Sequence, residues 1–142
     1  GAAAVVIMSD TRAKELGLTP LARIVSTGVS GLSPEIMGLG PIEAVRRALG
    51  HAAMSISDID LFEINEAFAV QVLGSARELG IDEDKLNVSG GAIALGHPFG
   101  MTGARITATL LNNLQTHDKT FGVETMCVGG GQGMAMVIER LS

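Results

Sequence analysis

Short apolar runs alternate along this chain with stretches in which apolar residues recur every three or four positions, and glycine or proline marks most junctions. Residues 2–8 form a short, partly β-branched apolar run, the pattern of a buried strand. Ser9 and Asp10 then offer caps for a short helix through Leu16, stopped by Gly17. Residues 21–27 alternate as a second strand closed by Gly28, and residues 31–40, with Ser33-Pro34 and further glycines, read as loop. Pro41 suits a first helical turn, and Ile42, Val45, Leu49 and Ala52 follow at helical spacing on one face. Residues 61–64 predict a short strand, and residues 66–79 a helix with Phe68, Val72, Leu73 and Ala76 inward and Gly80 at its end. A glycine-broken apolar stretch over 88–95 leads into Gly96-His97-Pro98, followed by a strong helix signal over 102–114. Residues 120–127 and 134–139 read as two strands joined by Gly129-Gly130-Gly131-Gln132-Gly133. This order predicts one α/β domain over residues 1–142, layered, with a mixed β-sheet and helices on its faces.

Composition sharpens this picture in two places. Trp and Tyr are absent and only 4 Phe occur, so the core must be packed from aliphatic side chains and Met. Glycine, 19 of 142 residues, is about twice as frequent as usual and gathers toward the C-terminal third, which points to local backbone requirements there. The net charge of −5, without a run of Lys or Arg, offers no basic face for nucleic acid or an anionic membrane. The longest early apolar run is too short to span a bilayer, so a cytoplasmic location is expected. One cysteine, Cys127, excludes an intrachain disulfide and any multi-cysteine metal site. The chain opens at Gly1 inside an apolar run, as expected either after tag removal or for a segment cut from a longer protein.

Three places can carry chemistry. Cys127 ends a predicted strand just before a glycine run, where backbone N–H groups are freed from the ladder; its thiol is either a nucleophile or proton carrier, or a small buried hydrophobe. His97 is held between Gly96 and Pro98 in a constrained loop ahead of a helix. Imidazole exchanges protons near neutral pH, so this residue suits a general base, against the plainer use of a structural loop histidine. His51 and His117 have no such setting and read as surface residues. Asn65 and Glu66 sit at a strand-to-helix junction, where Asn65 either caps the helix or offers its amide to a water or an oxyanion. Glu66, expected in the first helical turn, is explained by the helix dipole alone. The glycine runs match neither a P-loop nor a dinucleotide fingerprint, and a zinc site from His97 and Cys127 would lack two ligands.

Taken together, these segments resemble the thiolase family. Asn65-Glu66-Ala67-Phe68 resembles its Asn-Glu-Ala-Phe motif. The run from Gly90 through Pro98, continued by Thr102-Gly103-Ala104-Arg105, resembles its Gly-His-Pro loop. Cys127-Val128-Gly129 resembles its Cys-x-Gly motif, and the order and spacing fit along the whole chain as the C-terminal domain of such a protein. The resemblance implies that His97 activates a nucleophilic cysteine and lines an oxyanion hole, while Cys127 moves a proton at the substrate α-carbon. It further implies that Asn65 holds a water at the first oxyanion hole and that Gly129 offers its N–H to a second.

One departure is large. The acyl-accepting cysteine of thiolases lies in a Cys-x-Ser motif of the N-terminal half, and Cys127 is the sole cysteine here. By resemblance, then, this is the C-terminal half of an acyl-CoA acyltransferase. Such an enzyme cleaves 3-ketoacyl-CoA with coenzyme A or runs the reverse Claisen condensation; cleavage, as in fatty-acid β-oxidation, is the preferred direction. The implied partners are the N-terminal thiolase half, the acyl-CoA substrate and further copies in a homo-oligomer, with no tightly bound cofactor. A non-catalytic thiolase-like domain binding lipid or a partner is the alternative; the joint presence of Asn65, His97 and Cys127 opposes it. A ketoacyl-synthase relative would place a second histidine where Cys127 stands. Because the partner half is expected to pack here, residues 2–8 and 92–95 are expected to contribute to an exposed apolar patch.

Overall fold

The computed structural model describes residues 1–142. Four strands form one mixed sheet: β1 (Ala22–Gly31), β2 (Leu61–Ile64), β3 (Phe121–Val128) and β4 (Gln132–Arg140), in spatial order β1-β4-β3-β2. The β1–β4 and β3–β4 pairs are antiparallel, and β2 runs parallel to β3 with Leu61 opposite Gly122 and Glu63 opposite Glu124. The helices are α1 (Asp10–Glu15), α2 (Gly40–Ala52), α3 (Ala69–Leu79), the single turn α4 (Ala92–Leu95) and α5 (Phe99–Thr116), with a 3-10 segment at Pro34–Leu39.

Strand alternation divides the core. Phe62, Ile64, Val123, Ala135 and Val137 point to one face, where Ala44, Val45, Ala48 and Leu49 of α2 and Val72, Ala76 and Leu79 of α3 close a cluster of 14 buried residues. The opposite face carries α5, whose apolar contact is a cluster of only 4 buried residues: Leu61, Leu110, Leu114 and Ile138. That face also buries the polar side chains Glu63, Thr102, Arg105 and Glu124.

Several expected boundaries move. Residues 2–8 are not a strand: they make no backbone hydrogen bonds and lie exposed, Val6 at 84%. An apolar run becomes a strand only beside another strand edge, and none meets it. Gly28 does not end β1. It lies against the backbone of Ala44 and Ala48, where no Cβ would fit, so it serves the close approach of α2. The helix expected from residue 66 starts at Ala69, with Phe68 extended at its cap position. Phe68 and Leu73, expected inward, are exposed, whereas Val72 and Ala76 are buried. Ser9 accepts from the Arg12 N–H as the predicted cap of α1, Gly17 follows with φ 65°, and His51 and His117 are exposed.

Candidate active site

Asn65 leaves the carboxyl end of β2, its N–H bonded to the Thr125 carbonyl (2.9 Å), so it extends the parallel pairing one step toward the end of β3. Because α3 begins only at Ala69, Asn65 caps nothing; its fully buried amide faces His97, with Asn65 Nδ2 3.3 Å from His97 Nε2. His97 follows Gly96, which has φ 100°, a conformation that favours glycine, and stands one residue ahead of the cap of α5.

The second ring nitrogen has its own partner. His97 Nδ1 is 2.6 Å from Thr102 Oγ1, and that hydroxyl lies 3.2 Å from the Pro98 carbonyl. A hydroxyl has one proton to give; with it on the Pro98 carbonyl, Nδ1–H is the donor to Thr102 and Nε2 carries the lone pair. Asn65 Nδ2 then donates to Nε2, which orients the amide and turns Asn65 Oδ1 away. Oδ1 is buried and has no protein partner, a free acceptor beside the basic nitrogen of the imidazole. Thr102 belongs to the Gly-His-Pro motif region without an implied role; its place in the first turns of α5, five residues past His97, is the signal in the sequence that brings it to the imidazole.

Cys127 is buried, next to last in β3, and burial pushes its thiol pKa up, only partly opposed by its own backbone N–H. Its thiol makes no hydrogen bond to His97. Within β3, Gly122 packs on Leu110 and Met126 approaches Gly103, both in α5, whereas Val123, Thr125 and Cys127 alternate to the other face. His97, through Asn65, and Cys127 are thus both placed at the carboxyl edge of the sheet, where β2 and β3 end, with Cys127 on the opposite alternation from the residues that face α5. Gly129 follows in an exposed turn; its N–H has no acceptor in the protein, and its carbonyl accepts from Gln132 Nε2 at 3.0 Å. Gly130 and Gly131 take φ of 86° and 82°, the conformations this three-residue hairpin needs.

Glu66 is not in a helical turn and its role is not a dipole effect. Its carboxylate accepts from Asn87 Nδ2 and from the Ile93 N–H, both at 2.9 Å. Asn87, at φ 46°, also accepts from the Ile64 N–H and donates to the Ile64 carbonyl, sealing the free edge of β2. Neither contact is visible locally, since the partners are 21 and 27 residues away in sequence.

One layer below His97, three charged residues are buried between sheet and α5. Arg105 Nη1 lies 2.8 Å from Glu63 Oε1, and Glu63 is the register neighbour of Glu124. Desolvation pushes both carboxyls up to about 7; Arg105 pulls Glu63 back, whereas the Glu63 charge drives Glu124 further up. Thr107 Oγ1 is 2.8 Å from the Gly103 carbonyl and 3.0 Å from Glu124 Oε2. The single Thr107 proton serves one of these two oxygens at a time; donated to Glu124 it lowers that carboxyl's pKa, against the larger effect of burial.

Phe99 edges the His97 ring at a centroid distance of 5.0 Å and is otherwise 86% exposed. Ile93 and Leu95, on the same loop, are exposed too, as are Val6 and Ile7. The most evident surface hollows lie elsewhere, one of 400 Å³ between α2 and α3, and they contain none of these groups.

A hydrogen-bonded chain of Asn65, His97 and Thr102 thus stands at one end of a mixed sheet, with a cysteine and a glycine turn at the same end. The chain belongs to the thiolase family: residues 18–140 match the family model for the thiolase C-terminal domain. It is 57% identical to the acetyl-CoA acetyltransferase of Escherichia coli K12 over all of this chain and 36% of that protein. It is 56% identical to the 3-ketoacyl-CoA thiolase of Citrobacter koseri, over 99% of this chain and 37% of the relative. Its fold superposes on the crystal structure of the Bacillus anthracis acetyl-CoA acetyltransferase with a TM-score of 0.92 at 51% identity, covering 94% of this chain and 34% of the other. The chain thus spans little more than a third of the length of the relatives it matches.

Proposed function

We propose that this chain is the acid–base half of a thiolase, an acyl-CoA acyltransferase that cleaves 3-ketoacyl-CoA with coenzyme A and, in reverse, condenses two acyl-CoA molecules. The observation that carries the reading is the setting of His97: with Nδ1–H given to Thr102, Nε2 is basic and stands beside the free Oδ1 of Asn65. In this reading Nε2 takes the proton of a nucleophilic cysteine supplied by the N-terminal half. That sulfur attacks the 3-keto carbon, and the oxyanion is met by the resulting Nε2–H and a water held on Asn65 Oδ1. As the C2–C3 bond breaks, its electron pair goes to C2, and Cys127 S–H protonates that carbon. A raised thiol pKa suits this role, because a proton donor must enter the step neutral. The unpartnered Gly129 N–H stabilises the enolate oxygen of the leaving acyl-CoA. The acyl group left on the N-terminal cysteine then passes to the thiol of coenzyme A, which enters as a substrate.

The exposed apolar groups around the site, Phe99, Ile93 and Leu95, support its being covered by the N-terminal half. The proposal extends to a homo-oligomeric enzyme acting in the cytoplasm and mainly in the degradative direction. Thiolysis is measured as loss of the 3-ketoacyl-CoA enolate absorbance. The complete protein should turn over, its His97→Ala and Cys127→Ala variants should lose on the order of a hundredfold or more in kcat, and the 142-residue segment alone should be inactive. Enzyme-like turnover by the segment alone, or full activity without His97, would refute the assignment.

A further inference from the structure

We propose that Glu66 is a positioning residue for the reaction: its carboxylate ties the loop that presents His97 to the strand end that presents Asn65. This rests on the thiolase reading for its kinetic consequence but on geometry alone for the tie itself.

Asn65 and His97 come from segments 32 residues apart, and their mutual contact is one hydrogen bond of 3.3 Å, at the long end of the range. A contact that weak does not set the position of a loop. Glu66 adds what is missing. One carboxylate oxygen accepts from the Ile93 N–H, four residues before His97; the other accepts from Asn87, itself bonded to both backbone groups of Ile64. The chain of contacts therefore runs from the end of β2 through Glu66 into the turn Ala92–Leu95, which closes on Gly96 through its N–H to the Ala92 carbonyl at 2.7 Å. Gly91 lets the loop lie flat on the carboxylate: a Cβ there would sit 2.6 Å from both oxygens. Backbone conformation does not demand this glycine, because Gly91 has φ −133° and ψ −152°, in the extended region. Its requirement is the close approach of Glu66.

The substitution Glu66→Gln keeps size but gives one acceptor and one donor where two N–H donors converge, so one contact becomes donor against donor. Gly91→Ala attacks the same contact from the other side with a single methyl. Both are made in the complete protein and read by amide hydrogen exchange of residues 91–97 and by steady-state thiolysis. Losing one such hydrogen bond should speed exchange at Ile93 on the order of tenfold, with exchange in α2 unchanged as the check on folding. Displacing His97 should lower kcat on the order of tenfold or more, with KM for the acyl-CoA within about twofold, the pattern of a group that acts on the transition state only. Since both variants break one contact, the double variant should be no slower than the worse single one. Unchanged exchange at Ile93 in both variants overturns the tie. Faster exchange with unaltered kcat overturns the positioning role, as do effects that multiply in the double variant. If Glu66→Gln fails to fold, Gly91→Ala decides alone. Absence of thiolysis by the unmodified protein removes the proposed function, while the exchange arm still decides whether Glu66 holds the loop.

Discussion

Glu124→Gln should make the protein more stable at pH 8 while changing it far less at pH 5. The side chain is buried, 7% exposed, beside the like-charged Glu63, and its pKa rises from an ordinary 4.5 to about 7. A raised carboxyl pKa means that the folded chain holds its proton where the unfolded chain has released it. Folding stability contributed by this group is therefore intact below about pH 4.5 and falls as pH climbs toward 7. At ~1.4 kcal/mol per pH unit, that interval makes the penalty above pH 7 about 3 kcal/mol for the wild type. Glutamine cannot ionise, and its Nε2–H serves Thr107 Oγ1 as donor when the hydroxyl proton is on the Gly103 carbonyl. Urea unfolding of both proteins at pH 5 and pH 8 measures the difference, with titrating groups remote from the Glu63–Glu124 pair cancelling between them. The variant should gain about 2.5 kcal/mol over wild type between the two pH values, part of the penalty being present already at pH 5. Parallel pH profiles would refute the reasoning, and so would a variant equally destabilised at both, since either would mean that Glu124 is ionised in the fold.

Two further outcomes follow from the same face of the sheet. Arg105→Met leaves Glu63 buried without its partner, which at pH 8 should cost about 3–5 kcal/mol, and adding Glu63→Leu should recover much of that loss in urea unfolding. Thr102→Val removes the acceptor of His97 Nδ1–H in a fully buried position, so kcat should fall on the order of tenfold or more; Thr102→Ser should restore it, and nitrogen NMR of His97 should show the Nε2-basic tautomer only where an oxygen is present.

Much of the scaffold is written in local pattern. The strands β2, β3 and β4 and the helix α5 fall where short apolar runs and helical spacing put them, because each lies against a core within this chain. Residues 2–8 carry the same signal and are no strand, since pattern encodes a wish for burial and not the identity of the neighbour that grants it. At the site, Asn65, His97 and Cys127 stand out by residue type beside glycine or at a strand end, whereas Gly129 follows from the family resemblance alone. Whether Asn65 caps a helix was undecidable from the sequence, and it turned on α3 starting at Ala69. Glu63, Glu124 and Arg105 did leave a trace: an acidic residue inside each of two apolar strands, and an arginine on the inward spacing of an Ala-rich helix. Charges at buried positions require partners, and pursuing those partners would have found the cluster.

The placement of that cluster explains how His97 is held. The apolar grip on α5 runs from Ile106 through Leu110 to Leu114, whereas the helix begins at Phe99, next to the histidine. Apolar contacts are non-directional, so this seam by itself sets the position of the amino end only loosely. Three polar contacts between α5 and the strands remove that freedom. Thr102 engages His97 and through it Asn65, Arg105 engages Glu63, and Thr107 engages Glu124, each about one helical turn or less beyond the last. Hydrogen bonds tolerate little displacement, so contacts stacked along one helix face fix its register on the sheet far better than leucines of equal area would. The buried charges bring a desolvation penalty that an apolar seam would avoid. In return the amino end of α5 has one position, and the nitrogen that must meet the substrate has one orientation.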